Sequence, residues 1–232
     1  MKKNLDILQQ NLGIKFNQPQ LLAQAMVHRS YLNETTGADL ESNERLEFLG
    51  DVVLSFIISN WLYQEFPNYK EGQLTNLRSN LVRTTTLAKI ADQLKIGQNL
   101  LMSRGEKSSG GEKNPSLLAN SLEAVIGAIF FDQGLAKTEA FVKKQFKSFL
   151  EKIVAKGEFK DSKSLLQEKL QEEFKETPIY KTLKEEGPDH AKIFTVGVYS
   201  QGDLLTQEKG KSKQEAEEKA AKAALEKIED NR

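Results

Sequence analysis

The most informative absence in this 232-residue chain is cysteine, which does not occur at all. Without thiols the chain has no disulfide framework, no thiolate zinc site and no cysteine nucleophile. It also lacks an excess of charge of one sign, because 33 basic residues balance 33 acidic ones. The first 150 residues hold 17 basic and 15 acidic residues, so neither part is strongly basic. Any surface that attracts a polyanion must therefore be a local patch.

Long hydrophobic runs are scarce as well. The stretch VVLSFII, residues 52–58, has six apolar residues around one serine, far short of the ~20 that cross a bilayer. The opening MKKNLDILQQ places polar residues where a signal peptide has an apolar run. The absence of cysteine fits a reducing compartment. These features favour a cytoplasmic protein that does not associate with membranes.

Helical periodicity dominates the chain up to about residue 150. Apolar residues recur there at three- and four-residue steps, and the turn signals FPNYKEG, SRGEKSSGGEKNP and DQG separate the periodic stretches. The second of these signals, residues 103–115, is polar and rich in glycine. It is either a mobile surface loop or a loop that faces a substrate. We expect an all-helical first domain over residues 1–154.

The pattern changes after AKGEFKDSK, a stretch that is typical of a linker. We place the linker at residues 155–161. Beyond it, SLLQEKLQEEF is helical, while PIYKTLKEE, KIFTVGVYS and DLLTQEK have the composition of strands. The closing helix begins with a capping box, Ser212 followed by Glu215. Residues 162–230 therefore predict a second domain with the order α-β-β-β-α.

An acidic stripe marks the start of the longest periodic stretch. Glu44, Glu47 and Asp51 fall within about 60° of one helix face. The opposite face predicts a core contact made by Leu46, Leu49, Val53, Phe56 and Ile57. Three anions on one face repel each other. The stripe is either a solvated surface or the wall of a cation site.

Further residues extend both interpretations. Asn120 and Glu123 are three apart on a later helix, and Glu71 follows a turn. Carboxylates and a carboxamide are hard oxygen ligands that suit Mg²⁺ or Mn²⁺. Phe48 lies beside the acidic stripe and away from the core face. It packs either under a neighbouring helix or against another chain.

A family resemblance runs through these same residues. NERLEFLGDVVL closely resembles the signature of ribonuclease III, the double-stranded-RNA endonuclease. HRSYLNE, EGQLTNLRS and LEAVIGAIFFDQG are similar to that family in the expected order. In the second part, LLQEKLQ, GPDHAKIF and GKSKQEAEEKAAKAAL resemble a double-stranded-RNA-binding domain. The resemblance covers nearly the whole chain.

The resemblance implies an active site and a reaction. Its Mg²⁺ ligands, for which Mn²⁺ is a substitute, correspond to Glu47, Asp51, Asn120 and Glu123. Asp51 and Glu123 match the family's two key catalytic carboxylates, and Glu44 and Glu71 match acidic positions that line its cleavage valley. Phe48 matches an aromatic residue at the family's homodimer interface. The implied activity is hydrolysis of double-stranded RNA to 5′-phosphate and 3′-hydroxyl ends with short 3′ overhangs, in processing of ribosomal precursors and some messenger and transfer RNA.

Position 120 departs from the family pattern, which usually has Asp there. Asn keeps one carbonyl oxygen as a ligand but removes a negative charge. The other acidic positions are all present, which favours an active enzyme with a weaker hold on Mg²⁺. The alternative is a catalytically weakened protein that only binds double-stranded RNA.

The second domain offers candidate RNA contacts of two kinds. Gln167 and Gln171 share one helix face, and their amides suit the 2′-hydroxyls of a shallow minor groove. His190 matches a loop that probes a second minor groove. Around the start of the last helix, phosphate contacts are predicted for Lys209, Lys211 and Lys213. For each of these residues the competing interpretation is an ordinary solvated side chain.

Overall fold

Apolar residues at three- and four-residue steps fold the first part of the chain into helices. The computed structural model describes residues 2–35, 40–157, 162–188 and 191–230. In its first part the helices are α1 (Lys2–Leu12), α2 (Pro19–Ala25), α3 (Arg29–Glu34), α4 (Glu44–Glu65), α5 (Glu71–Val82), α6 (Thr84–Gln93), α7 (Arg104–Ser108) and α8 (Pro115–Lys156). The prediction of an all-helical first domain is confirmed.

The chain separates into two compact units, residues 1–159 and 160–232. This division falls inside the predicted linker at 155–161. Helix α8 continues to Lys156, and residues 158–161 of the linker lie outside the described residues. The exact domain bounds stay a prediction, and each unit is described by itself.

Helices α4 and α8 form the centre of the first unit, where they pack along each other. Large side chains that are fully buried around them include Phe146, Leu54, Ile57, Ile58 and Leu62. Trp61 is 8% exposed and belongs to the same core. The core face predicted for α4 is correct at Leu46, Val53 and Ile57, but wrong at Phe56, which is 56% exposed. Helix α4 therefore presents a wider apolar surface than its own unit covers.

Two glycines bring the backbones of α4 and α8 together. A Cβ atom added to Gly50 of α4 would lie 1.8 Å from the backbone oxygen of Glu123 in α8. A Cβ added to Gly127 of α8 would lie 2.2 Å from the backbone oxygen of Leu46 in α4. Only glycine allows so close an approach of two backbones. The crossing of these helices is thus fixed at one reciprocal contact.

Helix α8 is kinked where the sequence has the turn signal DQG. Gly134 has φ +76° and ψ −178°, which breaks the helical path. Just before it, the carboxylate of Asp132 accepts hydrogen bonds from the backbone nitrogens of Asn17 and Gln18, at 2.8 and 2.9 Å. Since Gln18 is the residue before α2, this carboxylate satisfies donors at the start of that helix. The kink therefore joins α8 to the N-terminal helices.

The glycine-rich stretch 103–115 contains regular structure. Helix α7 occupies Arg104–Ser108, and a 3₁₀ turn follows at Gly111–Lys113. The hydroxyl of Ser103 accepts from the backbone nitrogen of Glu106 at 3.1 Å and caps α7. A local cap thus stabilises a helix in a stretch whose composition predicts a loop.

One helix in the described part of the chain, α4, is long and apolar enough to cross a membrane by length and composition alone. A core helix of a globular domain passes the same test. Eight residues of α4 are buried within the first unit, and Glu44 and Glu47 stand in its first turn. The core accounts for these eight residues, while Phe48, Val52 and Phe56 of the same helix are exposed.

The second unit has the predicted α-β-β-β-α order. Helix α9 (Ser162–Phe174) precedes β1 (Ile179–Glu186), β2 (Ile193–Ser200) and β3 (Asp203–Gly210), and α10 (Lys213–Asp230) follows. The strands form one antiparallel sheet in the order β1-β2-β3. Its core contains Leu166, Leu170, Val198, Ala220, Ala221 and Ala224. Alanines let α10 lie close to the sheet.

The start of α10 has the expected cap in a slightly altered form. The backbone nitrogen of Glu215 donates to the hydroxyl of Ser212 at 3.1 Å. In return, the carboxylate of Glu215 accepts from the backbone nitrogen of Lys211 at 2.8 Å, one residue earlier than in a standard capping box. This exchange holds the turn between β3 and α10.

The glycine contact between α4 and α8 predicts the effect of Gly50→Ala. A methyl group at this position collides with backbone, so we expect a loss of about 3 kcal/mol, the upper end of the usual cost of overpacking, in the free energy of unfolding. Gly72→Ala is the control, because a Cβ there meets nothing within 4 Å and alanine favours helix by up to about 1 kcal/mol. Urea denaturation compares the two variants. Equal stability of Gly50→Ala and the wild type would contradict the close contact.

Candidate active site and RNA-binding surface

The acidic stripe of α4 faces α8 across one cavity of about 580 Å³. Its walls bring together most of the residues that the sequence singles out. The lining comprises His28, Arg29, Asn43, Glu44, Glu47, Phe48, Asp51, Leu117, Asn120, Ser121 and Glu123. All four predicted ligands therefore line the same cavity, and they include Asn120, which departs from the family pattern.

Helix geometry and the glycine contact place these side chains. Glu47 and Asp51 are four apart and share one face of α4, and Glu47 is three residues before Gly50 at the crossing. Asn120 and Glu123 are three apart on α8, and the backbone oxygen of Glu123 is the atom that a Cβ on Gly50 would meet first. The carboxylates thus face each other because their two helices touch.

The cavity disfavours the negative charge of its own carboxylates. Burial, with the nearby carboxylates of Asp51 and Glu47, raises the pKa of Glu123 to about 7. Burial also raises the pKa of Glu47, with Glu44 and Asp51 adding to the effect and Arg29 reducing it. Two half-buried acids among other acids are a typical sign of a functional site. A cation in the cavity would relieve both effects.

Glu44 is held at the edge of the cavity by polar contacts. Its carboxylate lies 3.6 Å from the guanidinium of Arg29 and accepts from the hydroxyl of Ser42 at 3.0 Å. The buried Asn43 fixes the start of α4, since its backbone nitrogen donates to the carbonyl of Val27 at 2.8 Å. These contacts set where the acidic stripe begins.

His28 has a structural position beside the cavity. Its Nδ1 lies 2.8 Å from the hydroxyl of Ser30 and accepts from the backbone nitrogen of the same residue at 3.3 Å. The histidine therefore caps α3.

The carboxylates share the cavity without forming a finished set of ligands. Among residues 2–35, 40–157, 162–188 and 191–230, no three Asp, Glu or His side chains are gathered closely enough to hold a metal ion. Repulsion between like charges opposes such a grouping. Rotation of side chains would be needed for them to share one cation.

Two predicted residues of the first unit take other positions. Glu71, the first residue of α5, does not line the cavity, and its carboxylate accepts from the hydroxyl of Thr75 at 2.8 Å. Phe48 borders the cavity but is 77% exposed. It does not pack under a neighbouring helix, so that interpretation of Phe48 is wrong for this chain.

In the second unit, both glutamines lie on the solvent side of α9. Gln167 and Gln171 are exposed, while Leu166 and Leu170 of the same helix are buried. Exposed amides four residues apart are available to a partner. His190 lies outside the described residues, so its predicted role stays a prediction.

The three lysines lie where β3 ends and α10 begins, and two of them contact acidic residues. The ammonium of Lys213 is 2.9 Å from the carboxylate of Glu185, and that of Lys209 is 3.9 Å from Glu186. Lys211 is exposed in the turn between the two elements. Sequence spacing does not predict these ion pairs, because they depend on the register of the sheet.

Comparisons with known proteins agree with both units. Residues 18–150 match the family model described as ribonuclease-III-like, and residues 162–228 match the double-stranded RNA binding motif. The protein called Ribonuclease 3 from Syntrophobacter fumaroxidans is 44% identical over 225 residues, which is 95% of this chain and 93% of that protein. The chain belongs to the ribonuclease III family.

Other relatives give the same result over similar lengths. Ribonuclease 3 from Desulforamulus reducens is 45% identical over 96% of this chain and 90% of its own length. A crystal structure of the nuclease domain of ribonuclease III from Campylobacter jejuni has a TM-score of 0.56 and 38% identity, covering 62% of this chain and 97% of that one. A second structure of that domain, described as flexible in a region involved in dimer formation, has a TM-score of 0.56 and 37% identity, covering 62% of this chain and 99% of that one.

Family membership settles the kind of activity. The first unit is a ribonuclease III nuclease domain and the second a double-stranded-RNA-binding domain, so the chain is an endoribonuclease that acts on double-stranded RNA. Ribonuclease III enzymes are generally metal-dependent. The acidic cavity at the α4–α8 crossing lies within the matched nuclease region.

Reasoning from the sequence missed several residues around the cavity. Arg29, Asn43 and Ser121 line it without having been selected. Arg29 could have been found in HRSYLNE, since a cation close to an acidic stripe is a signal in itself. Ser121 carries no such signal in the sequence. Its hydroxyl donates to the carbonyl of Leu117 at 2.7 Å within its own helix.

Proposed function

We propose that this ribonuclease III hydrolyses double-stranded RNA with Mg²⁺ in the cavity at the α4–α8 crossing, and that Mn²⁺ can substitute. The observation that carries this proposal is one cavity lined by Glu47, Asp51, Asn120 and Glu123. Oxygen donors only, with a surplus of negative charge, fit a hard divalent cation better than any other ligand. The raised pKa of Glu123 is in keeping with that surplus.

Each residue contributes to the site according to its place. Glu47 and Glu123 are half-buried and form the inner part, whereas Asp51 is exposed on the outer side. Asn120 offers a neutral carbonyl oxygen beside them. Bound Mg²⁺ would activate water and stabilise charge on the phosphodiester. Arg29 limits repulsion at the edge by holding Glu44.

The products we propose have 5′-phosphate and 3′-hydroxyl ends with short 3′ overhangs. This follows from the resemblance of the signature residues and from the need to cut both strands of a duplex. Two cavities are required for a staggered cut, so the active form is a homodimer. The substrates we propose are ribosomal RNA precursors and some messenger and transfer RNAs, in the cytoplasm.

The apolar surface beside the cavity supports the homodimer. Phe48, Val52 and Phe56 are four apart on α4 and are 77%, 57% and 56% exposed, respectively. Next to them lies a mainly apolar hollow. Its apolar lining is Leu21, Leu46, Leu49, Phe131 and Phe48 itself, and Gln24, Glu41, Glu44 and Arg45 complete it. Exposed aromatic residues beside an apolar hollow are characteristic of an interface. A two-fold axis would place Phe48 of each copy against the hollow of the other.

RNA is held mainly by the second unit in this proposal. Gln167 and Gln171 reach the minor groove, while Lys209, Lys211 and Lys213 approach phosphates, and His190 contacts a second minor groove. Such binding depends on duplex shape and on salt more than on base sequence.

The alternative function is a catalytically weakened protein that binds double-stranded RNA, and one observation favours it. Asn120 supplies one charge fewer than the acidic residue usual in the family. An intact set of carboxylates at positions 44, 47, 51, 71 and 123 favours the enzyme.

The direct test is incubation of the full chain with a long RNA duplex in Mg²⁺ and in EDTA. We expect shortening of the RNA only with Mg²⁺, with a loss of at least about 100-fold in rate for Asp51→Ala, because a ligand and its charge are removed together. Ligation of an adaptor that requires a 5′-phosphate then reports the product ends. A gel shift without shortening would support the binding protein instead.

The role of position 120 predicts the effect of Asn120→Asp. Restoring a carboxylate strengthens the hold on a divalent cation, so the Mg²⁺ concentration for half-maximal cleavage should fall several-fold. Asn60→Asp, at the other end of α4, adds the same charge away from the cavity and should leave that concentration unchanged. An unchanged or higher requirement in Asn120→Asp would remove position 120 from the ligand set.

The interface proposal predicts that Phe48→Ala favours the monomer. Loss of a central aromatic contact should weaken the dimer by at least about tenfold, since such residues contribute about 2 kcal/mol or more. Sedimentation equilibrium measures the dissociation constant. Phe174→Ala, an exposed phenylalanine in the second unit, is the control. Dimers of equal strength in both variants would exclude Phe48 from the interface.

A further inference from the structure

Two adjacent carboxylates lie among the lysines at one end of the RNA-binding unit. Glu185 contacts the ammonium groups of Lys213 at 2.9 Å and Lys192 at 3.5 Å. Glu186 contacts those of Lys184 at 2.8 Å and Lys209 at 3.9 Å. Four cations are therefore shared by two anions on this surface. Half of its positive charge is cancelled before any RNA arrives.

The fold brings these groups together from elements that are distant in sequence. At the end of β1, Glu185 pairs in register with Phe194 of β2, which in turn pairs with Gly210 at the end of β3. Helix α10 begins at Lys213, three residues later. The end of β1 thus lies next to the start of α10, and the carboxylate of Glu185 reaches the lysine across the sheet.

We propose that Glu185 competes with RNA phosphate for Lys213 and so sets the affinity of this domain for double-stranded RNA. The inference rests on the proposed function, in which Lys213 contacts the RNA backbone. Glu186 acts in the same way on Lys209, with less effect because the contact is longer. Glu185 is an internal counter-charge that the RNA has to displace or tolerate.

The exposure of the contact makes competition feasible. About half of the side-chain surface of Lys213 and over a third of that of Glu185 remain exposed. Ion pairs of this kind contribute little to stability, so a phosphate can replace the carboxylate at low cost. After replacement, the carboxylate still lies close to a polyanion and repels it. Both effects weaken binding.

In an alternative role, Glu185 would position the ammonium group of Lys213 for RNA and so strengthen binding. Lys213 also lies over the ring of Phe194, 5.6 Å from its centroid, which helps to orient the ammonium group without the carboxylate. Glu185→Gln separates the two roles, because the amide oxygen can still accept a hydrogen bond from Lys213 while the charge is lost. Positioning would survive this change, and charge competition would not.

The test measures binding of the full chain to a short RNA duplex in EDTA, where metal-dependent cleavage is prevented. Four variants are compared with the wild type: Glu185→Gln, Lys213→Ala, the double variant, and Glu226→Gln as control. Glu226 is exposed in α10 and lies about 20 Å along the helix from Lys213. Glu226→Gln therefore removes one negative charge, as Glu185→Gln does. It does so at a distance from Lys213 greater than the Debye length of about 10 Å at 0.1 M salt.

We expect Glu185→Gln to bind the duplex about two- to fivefold more tightly, the range given by exposed ion pairs. The gain should shrink at higher salt, be much smaller in the Lys213→Ala background, and be absent in Glu226→Gln. Unchanged or weaker binding by Glu185→Gln, or an equal gain in both backgrounds, would overturn the inference. If Lys213→Ala alone binds as tightly as the wild type, the proposed RNA contact fails as well, which distinguishes the two failures.

Discussion

The contact of two backbones at Gly50 and Gly127 is the constraint on which the nuclease unit depends. The atoms that leave no room for a Cβ are the carbonyl oxygens of Glu123 and Leu46, and Glu123 is itself a predicted ligand. The closest point between α4 and α8 is therefore also the place where acidic side chains from both helices meet. A larger residue at either glycine would separate the helices and, with them, the two walls of the cavity.

This arrangement makes the cavity costly for the folded protein. The pKa of Glu123 is raised from 4.5 to about 7 by burial and by its acidic neighbours. A carboxyl group whose pKa is higher in the folded than in the unfolded state loses stabilising effect as the pH rises from about 4.5 to about 7. At neutral pH the charged form is thus unfavourable in the fold. A divalent cation would make the charged form of Glu123 favourable in the fold, because it interacts with the charged form.

Much of the fold follows from local pattern, whereas the site follows only in part. Periodicity predicts the helices and the α-β-β-β-α order, because each element needs one apolar face. It fails at Phe56, since an exposed apolar helix face has the same composition as one covered by its own core. Spacing places Glu44, Glu47 and Asp51 on one stripe. The meeting of that stripe with Asn120 and Glu123 depends on a helix crossing that no single segment encodes.

The pairing of Glu185 with Lys213 in the second unit also joins segments that are distant in sequence, so local pattern does not predict it. This ion pair matters for RNA binding because the whole chain has no net charge. A neutral protein exerts little long-range attraction on RNA, so affinity arises from the few cations that reach phosphates. Because Glu185 and Glu186 already contact two of the lysines proposed to reach phosphates, Lys213 and Lys209, each carboxylate changes a large share of the available attraction. The nuclease unit gathers anions that attract a cation, while the RNA-binding unit offers cations that are partly neutralised. Local charge in both units, and not the overall field, decides how firmly each ligand is held.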